Sequence, residues 1–200
     1  SAEIQSLPTT TWGGNTAYVV AHWYGGHGTS GSPGHNGYIH LASGLTYKIV
    51  VRHEQGCCGR AIGLYIMPPG TSTWIPMNSQ GIQSLRSYAE ISQMYMKAFS
   101  WNRGHPSSWT DFDNFFSSNP PQIWSGSVNY IWFAGGGVNL NPPAESDFPF
   151  ANIRRENFGD YIEFTLAPLI DGMWGFAVDS DDASDVLVVI LGAPFSYIDE

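Results

Sequence analysis

Short runs of apolar and polar residues, separated by turn residues, make up most of this chain. Runs of about four to eight residues rich in Val, Ile, Tyr and Phe are typical of β-strands. Ala42-Ser43-Gly44 is predicted as the turn before the strand at 45–53, and Pro68-Pro69-Gly70 ends the strand at 61–67. Pro76 cannot donate a ladder hydrogen bond inside a sheet, so 74–77 is predicted as a short edge strand. The pattern predicts at least eight strands, the clearest at 17–21, 38–41, 45–53, 61–67, 123–133, 161–166, 174–178 and 186–191.

Two segments do not follow this pattern. Residues 84–99 have apolar positions near helical spacing, whereas 95–99 fits a strand equally well, and both interpretations stay open. Residues 101–121 are aromatic but irregular, which favours a loop. The glycine-rich segments 25–37 and 55–60 are long enough to serve as binding loops. We therefore expect an all-β fold, a single sandwich of residues 1–200 with long binding loops and room for one short helix.

Composition narrows the classes of function. Two hundred residues suffice for one domain with a full core, and 23 glycines with 13 prolines suit a turn-rich sandwich. A formal charge of −9 disfavours nucleic acid and anionic lipid as partners and suits a cation or a neutral ligand such as a sugar. Acidity alone also serves solubility. No apolar run reaches the length of a membrane span. A start at Ser1 without a signal-peptide pattern predicts a piece of a larger protein.

Four aspartates lie within seven residues, between two strand-like runs near the end of the chain. They are Asp179, Asp181, Asp182 and Asp185. Carboxylates this dense repel one another unless a cation sits among them. Side chains alternate along a strand, so the backbone must turn if Asp181 and Asp182 are to grip one ion. The pattern suggests a calcium site, but it lacks the glycine and distal glutamate of an EF-hand, and a solvated acidic turn is an equal alternative.

The only two cysteines, Cys57 and Cys58, are adjacent and flanked by glycines. They are either two free thiols or one vicinal disulfide. Consecutive Cα atoms lie about 3.8 Å apart, which is below the usual disulfide range of roughly 4.4–6.8 Å. A vicinal bridge closes almost no chain, so it would stiffen a loop without adding much global stability.

Other candidate chemistry is less specific. Five of the six histidines fall within 32 residues, yet no zinc-binding spacing accompanies them, and local hydrogen bonding explains them more simply. No G-x-S-x-G elbow occurs, and paired carboxylates for glycoside hydrolysis stay open because sequence does not give their separation. Aromatic residues in loops can stack on sugars or fill the core. The histidines are His22, His27, His35, His40, His53 and His105, and the loop aromatics are Trp23, Tyr24, Trp101 and Trp109.

Three segments together are similar to the anthrax protective-antigen-type lectin domain, the fold of yeast flocculins, epithelial adhesins and bacterial adhesin domains. Residues 40–54 resemble its glycine-to-tyrosine strand, and 63–76 resemble the next strand with its proline-rich ending. Residues 174–187 resemble its W-x-F-x-x-x-S-D-D motif. The aspartate pair precedes the glycine-to-tyrosine strand in the family and follows it here. The resemblance therefore implies a circular permutation, with Ser1 and Glu200 close in space.

The resemblance implies a site and a function. In sugar-binding members, a cis Asp–Asp peptide lets both carboxylates hold a calcium ion that the sugar also ligates. That role falls here on Asp181 and Asp182, and the loop after the glycine-to-tyrosine strand would add Gln55 by its side chain. Further metal ligands would be Gly56 and Cys58, and further sugar contacts Asp185, Cys57, Cys58 and His35.

The implied protein is a calcium-dependent glycan-binding module of a secreted or cell-surface adhesin, extracellular and without catalytic activity. Its partners would be glycans of a cell surface or polysaccharide. Two alternatives stay open: a carbohydrate-active enzyme or its accessory module, and a structural spacer that has lost the sugar site.

Overall fold

A computed structural model describes residues 7–191, so the predicted approach of Ser1 and Glu200 lies outside the described residues. This part of the chain forms thirteen strands and two short helices, α1 (Ser79–Leu85) and α2 (Trp109–Ser117). Neither helix is long and apolar enough to cross a membrane. The strands are β1 (Thr9–Trp12), β2 (Asn15–Trp23), β3 (His35–Leu41), β4 (Tyr47–Gln55), β5 (Arg60–Met67), β6 (Ile75–Pro76), β7 (Ala89–Ile91), β8 (Met94–Ser100), β9 (Gln122–Val128), β10 (Trp132–Gly135), β11 (Phe158–Pro168), β12 (Gly172–Ser180) and β13 (Ser184–Ile190).

The strands form two antiparallel sheets, which confirms the predicted all-β sandwich. The larger sheet has the order β1-β2-β13-β4-β11-β8-β9, and β7 adds to β11. The smaller sheet has the order β10-β5-β12-β3, and β6 adds to β5 at its edge. Strand β6 lies within the predicted edge strand 74–77.

Alternation along each strand decides which residues fill the space between the sheets. In β4, Ile49 and Val51 are fully buried in the main core, together with Leu64 and Phe176 of the smaller sheet. The intervening Val50 faces outward and packs in a separate cluster on the outer side of the larger sheet. A one-residue shift in register would exchange these two sets, so the apolar pattern fixes the pairing of β4 with its neighbours.

Three connections cross from one sheet to the other at the same end of the sandwich. Residues 24–34 link β2 to β3, residues 56–59 link β4 to β5, and residues 181–183 link β12 to β13. Ser184, the first residue of β13, pairs with both Trp23 and His53, so the three connections are neighbours. This convergence brings the aspartate cluster to the two glycine-rich loops.

Two predictions of local structure need correction, and one open assignment is settled. Residues 101–121 are not all loop, because α2 forms where Phe112 and Phe115 bury against Trp101. The predicted strand 123–133 is two strands: β9 lies in the larger sheet and β10 in the smaller one. The ambiguous segment 84–99 holds the end of α1 followed by β7 and β8, so the strand interpretation is right for 95–99.

The far end of β13 bears on the predicted permutation. Val189 pairs with Ala17 of β2, so the strand that ends beside Leu191 lies next to the strand that begins near Ala17. Both lie at the end of the sandwich opposite the three crossing connections. The juxtaposition agrees with the expected geometry, and the permutation itself stays a prediction.

Candidate functional site

The backbone turns sharply between the two strands that carry the aspartates. Asp182 adopts φ of +60°, a left-handed conformation that non-glycine residues rarely take. Backbone bonds fix this turn, since the Asp182 N–H donates to the His27 carbonyl (2.7 Å) and the Asp181 N–H to the Ala61 carbonyl (3.0 Å). The cis Asp–Asp peptide implied by the resemblance does not occur, because in residues 7–191 the cis bond is Asn141–Pro142. The expected turn is present but has another geometry.

The Asp182 carboxylate is the centre of the converging loops. One oxygen accepts the backbone N–H of His27 (3.1 Å). The other accepts the backbone N–H of Gly56 (2.8 Å) and the amide of Gln55 (3.0 Å). Asp182 thus ties two crossing connections to its own turn, and its side chain is only 7% exposed. The predicted meeting of Asp182 with the Gln55–Gly56 loop is present in the structure.

Asp181 and Asp179 have different surroundings. The Asp181 carboxyl lies against Gly59, where an added Cβ would come within 2.7 Å of its oxygen. Burial, followed by the charge of Asp182, raises the pKa of Asp181. Asp179 accepts the backbone N–H groups of Ser30 (2.7 Å) and Gly31 (2.8 Å) and so fixes the long 25–37 loop. Asp179 therefore organises the backbone of a loop, whereas Asp181 lies beside Asp182 at the edge of the site.

Asp185 is buried away from any ligand surface. Its two oxygens accept a bidentate pair of hydrogen bonds from Arg52, at 2.8 and 2.7 Å, and the Tyr24 hydroxyl also donates to it (3.0 Å). Asp185 and Arg52 are both fully buried. The expected sugar contact of Asp185 does not agree with this burial, because its carboxylate is already used to neutralise Arg52.

The Gln55 side-chain amide has a buried oxygen that lacks a hydrogen-bond partner. Its nitrogen donates to the Cys57 carbonyl (3.1 Å) and to Asp182, whereas its oxygen, Oε1, is buried without a hydrogen-bond partner. Unpaired buried acceptors are rare and call for an explanation. Rotation of the amide by 180° would bring three oxygens together, from Gln55, Cys57 and Asp182. A cation can satisfy three oxygens that face one point.

A second set of donors adjoins Asp182. One ligand atom each from Glu54, His105 and Asp182 lies within 4.8 Å of the others, so this group can hold a metal ion. His105 Nδ1 lies 2.9 Å from a Glu54 oxygen. The opposite edge of the ring lies toward Asp182, because an added Cβ at Gly26 would contact both His105 Nε2 (2.8 Å) and an Asp182 oxygen (3.5 Å).

Sequence reasoning missed Glu54 and His105 as site residues. Glu54 sits one position before the predicted Gln55, and its side chain is almost fully buried. His105 belongs to a segment without periodicity, and tertiary bonds place it: the Gly25 N–H donates to the Pro106 carbonyl (2.8 Å). No motif or periodicity in the sequence predicts this contact. Gly26 and Gly56 are the sequence features that accompany it, since each leaves room for the His105 imidazole.

Glu54 and His105 each shift the pKa of the other. Burial raises the pKa of Glu54, and the hydrogen bond to His105 opposes that rise. The hydrogen bond to Glu54 is the main cause of a raised pKa at His105. The His105 ring is 42% exposed, so the pair connects a buried carboxyl to the surface of the site.

The vicinal disulfide forms the rim of the site. Cys57 and Cys58 are bonded to each other, both are exposed, and Cys58 has φ of +79°. The structure thus confirms the predicted disulfide rather than two free thiols. The Gly56 carbonyl accepts the Asn157 N–H (2.8 Å), and the Cys58 carbonyl faces Gly136. Neither predicted carbonyl ligand points freely to Asp182, whereas the Cys57 carbonyl lies beside the Gln55 amide.

An aromatic stack flanks the site. The Trp23 ring is sandwiched between His27 (centroids 3.5 Å apart) and His35 (3.8 Å apart), with nearly parallel planes. Burial, then the nearby His27, lowers the pKa of His35. His35, the first residue of β3, is therefore part of this aromatic wall and not of the group that can hold a metal. Trp101, in contrast, is buried against α2 and is a core residue.

A buried pair supports the aspartate turn from below. His53 Nδ1 lies 2.7 Å from an Asp160 oxygen, and His53 Nε2 donates to the Asp181 carbonyl (3.0 Å). Both side chains are fully buried between the sheets. Burial lowers the pKa of His53, but the charge and hydrogen bond of Asp160 outweigh it, so the net pKa is raised. The pair links β4 and β11 to the turn.

No family model, curated protein or solved structure matches this chain. The resemblance to the protective-antigen-type lectin domain therefore remains an expectation from the motifs in residues 40–76 and 174–187. The case for a function depends on the geometry of the site itself.

Proposed function

We propose that this domain is a calcium-dependent glycan-binding module whose cation lies between Asp182 and the Gln55–Cys57 loop. The observation that carries the proposal is the unpartnered, buried oxygen of Gln55 beside a carboxylate at the meeting point of three loops. Calcium accepts six to eight oxygen ligands in flexible geometry, which suits a mixture of carboxylate, amide and carbonyl oxygens.

The protein residues would fill only part of the calcium shell. Asp182, the rotated Gln55 amide and the Cys57 carbonyl would supply three oxygens. The adjacent Asp181, whose pKa is raised in part by the charge of Asp182, would contribute a fourth. Calcium would supply charge that holds further oxygens at its open positions. Neighbouring hydroxyls of a sugar are suitable oxygens for those positions.

The surroundings of the cation fit a flat, polar ligand. The Trp23–His27–His35 stack adjoins Asp182 through the His27 backbone N–H, and the exposed disulfide adjoins Gln55 through the Cys57 carbonyl. Aromatic and sulfur surfaces offer an apolar contact for the C–H face of a sugar while its hydroxyls turn to the cation. An extracellular or cell-surface location, in an adhesin-like parent protein, accords with a persistent disulfide.

A second candidate is a site for a transition metal such as zinc. The His105 imidazole favours it, since nitrogen ligands suit zinc better than calcium. Glu54 would orient the ring through Nδ1 and leave Nε2 for the metal, an arrangement common among metal-binding histidines. The two candidates share Asp182 and differ in Gln55 and His105.

Calorimetric titration with calcium, magnesium and zinc tests the proposal. We expect the wild-type protein to bind calcium, to bind magnesium weakly because magnesium demands small octahedral geometry, and to lose calcium in Asp182→Asn. Asp171→Asn, at an exposed turn, is the matched control and should bind as the wild type does. His105→Ala should leave calcium binding intact, and Gln55→Ala should weaken it. Unchanged calcium affinity in Asp182→Asn would refute the site.

A glycan array measured with and without chelator tests the sugar part. Binding that chelator abolishes supports the module, whereas calcium binding without any glycan supports the spacer alternative. We propose no catalytic role, and incubation with polysaccharides checks this: released oligosaccharides would show an enzyme instead.

A further inference from the structure

A large cavity lies on the outer face of the larger sheet, away from the aspartate turn. It is open to solvent and has a volume of about 760 Å³ between the β1–β2 hairpin, helix α2 and strands β4, β8, β9 and β11. Lys48, on its lining, stands at the start of β4, whereas Gln55 ends that strand. Seven residues of extended chain separate the two positions by roughly 23 Å. The cavity is therefore a separate site.

The cavity contains both lysines of the chain, Lys48 and Lys97. The protein carries 17 acidic residues against 8 lysines and arginines, whereas the lining of this cavity holds two lysines and two acidic residues, Asp113 and Glu163, so the net acidity of the protein is absent here. Lys48 lies 3.8 Å from Glu163. Lys97 makes no salt bridge within residues 7–191 and is half-buried on β8, directly paired with Tyr161.

The acidic residues of the lining are already engaged. Asp113, on α2, accepts hydrogen bonds from Arg52 and from Thr10, both at 2.5 Å. Glu163 accepts the Trp12 indole N–H (3.2 Å) beside its contact with Lys48. Lys97 is thus the cation of the lining that no carboxylate contacts within residues 7–191, and it is available to an anionic ligand.

Aromatic rings form one side of the cavity. Tyr161 is at its centre, with Trp12 at 5.0 Å and Phe99 at 6.0 Å between ring centroids. Phe116 of α2 closes the cluster at 5.5 Å from Tyr161. The rest of the lining consists largely of hydroxyl and amide side chains, which can hydrogen-bond to sugar hydroxyls. These are Thr10, Thr11, Asn114, Ser117, Asn119 and Gln122.

We propose that this cavity binds acidic saccharides, with uronate carboxylates on Lys97 and on Lys48 and a sugar ring against the aromatic cluster. Aromatic faces beside amides and hydroxyls match the two kinds of surface on a sugar ring, and the lysines select those rings that carry a carboxylate. Binding here requires no cation, which separates it from the proposed calcium site.

Titration of the full chain with tetragalacturonate, in EDTA and at low salt, tests the inference. We expect binding that falls about tenfold in Lys97→Gln, because one charge-assisted contact is lost, and falls again with added salt. Lys48→Gln should weaken binding less, since Glu163 already holds that lysine. Arg155→Gln removes one positive charge from an exposed site elsewhere and should leave the affinity unchanged. Thermal melting checks that each variant is folded.

Two probes decide the ligand class. The methyl ester of tetragalacturonate keeps the rings but removes the charge, and we expect it to bind at least tenfold more weakly. Tetraglutamate keeps the charge but lacks the rings, and equal binding of this peptide would overturn the saccharide assignment. The proposal also fails if tetragalacturonate does not bind in EDTA or if Lys97→Gln binds it like the wild type. Neither outcome affects the calcium site, whose binding EDTA abolishes.

Discussion

At the scale of single residues, four neighbouring aspartates have four different environments. Asp179 fixes a loop through backbone N–H groups, and Asp185 neutralises a buried arginine. Asp182 joins three connections, and Asp181 lies beside it with a raised pKa. Of this dense cluster, only Asp181 and Asp182 are therefore left as candidate ligands of a cation. Backbone donors and Arg52 account for the other carboxylates.

Gly26 and Gly56 leave the space that the His105 ring occupies. A Cβ added at Gly26 would lie 2.8 Å from the imidazole, whereas one at Gly28 would meet nothing within 4 Å. Gly26→Ala should therefore displace the ring, which has an exposed side to move into, and change the free energy of unfolding by less than about 1 kcal/mol. Calorimetry should show weaker zinc binding and unchanged calcium binding.

Gly28→Ala is the matched control for this experiment and should leave both metal affinities unchanged. If Gly26→Ala also lowers calcium affinity tenfold, His105 belongs to the calcium site, and the separation of the two donor sets is wrong.

At the scale of elements, helix α2 shows how packing overrides local preference. Its sequence, WTDFDNFFS, has few strong helix formers, so the segment predicts a loop. The helix forms because Phe112 and Phe115 pack against Trp101. Trp101 lies outside the helix, so the contact is not visible in the helical pattern of the segment itself. Asp111, in its first turn, accepts the backbone N–H (2.7 Å) and hydroxyl (2.8 Å) of Ser107.

The Asp111 bonds make helix stability depend on pH. The backbone N–H of Ser107, then its hydroxyl, lower the pKa of Asp111 below its ordinary value of 3.8. The stabilisation is therefore complete above pH 3.8 and is lost as the pH falls through the lower folded pKa. Asp111→Asn should cost about 0.5 kcal/mol near pH 6, since the group is exposed to solvent screening. Urea unfolding at pH 6 and pH 2 should show this difference and its disappearance. A difference that persists at pH 2 would contradict it.

The 56–59 connection allows a prediction about the disulfide. The bond between Cys57 and Cys58 closes almost no chain, so its reduction should change the melting temperature very little. The same reduction frees the backbone that holds the Cys57 carbonyl beside Gln55. We expect the affinity for a glycan identified on the array to fall severalfold after treatment with a phosphine reductant. Alkylation before reduction should modify no thiol. A fall in melting temperature with unchanged glycan affinity would contradict the prediction.

At the scale of the whole molecule, the sequence predicts the sandwich and part of its site. Apolar alternation is a local signal, so most strands could be expected from it. The meeting of Asp182 with Gln55 could be expected only from the resemblance of residues 40–54 and 174–187 to the lectin domain. The division of 123–133 between two sheets could not, because periodicity does not say which sheet a strand joins. Glu54 and His105 also escaped, since their pairing depends on how a distant loop packs.

The scarcity of lysine has a practical consequence. Amine-reactive reagents label lysine side chains and the chain terminus, and here every lysine side chain belongs to one cavity. Acylation followed by mass spectrometry therefore measures the accessibility of that cavity without any mutation. A compound that shields Lys97 would slow its acylation relative to the terminal amine, which serves as an internal clock in the same sample. The protein thus carries its own covalent reporter, and libraries of unlabelled compounds can be screened directly against it.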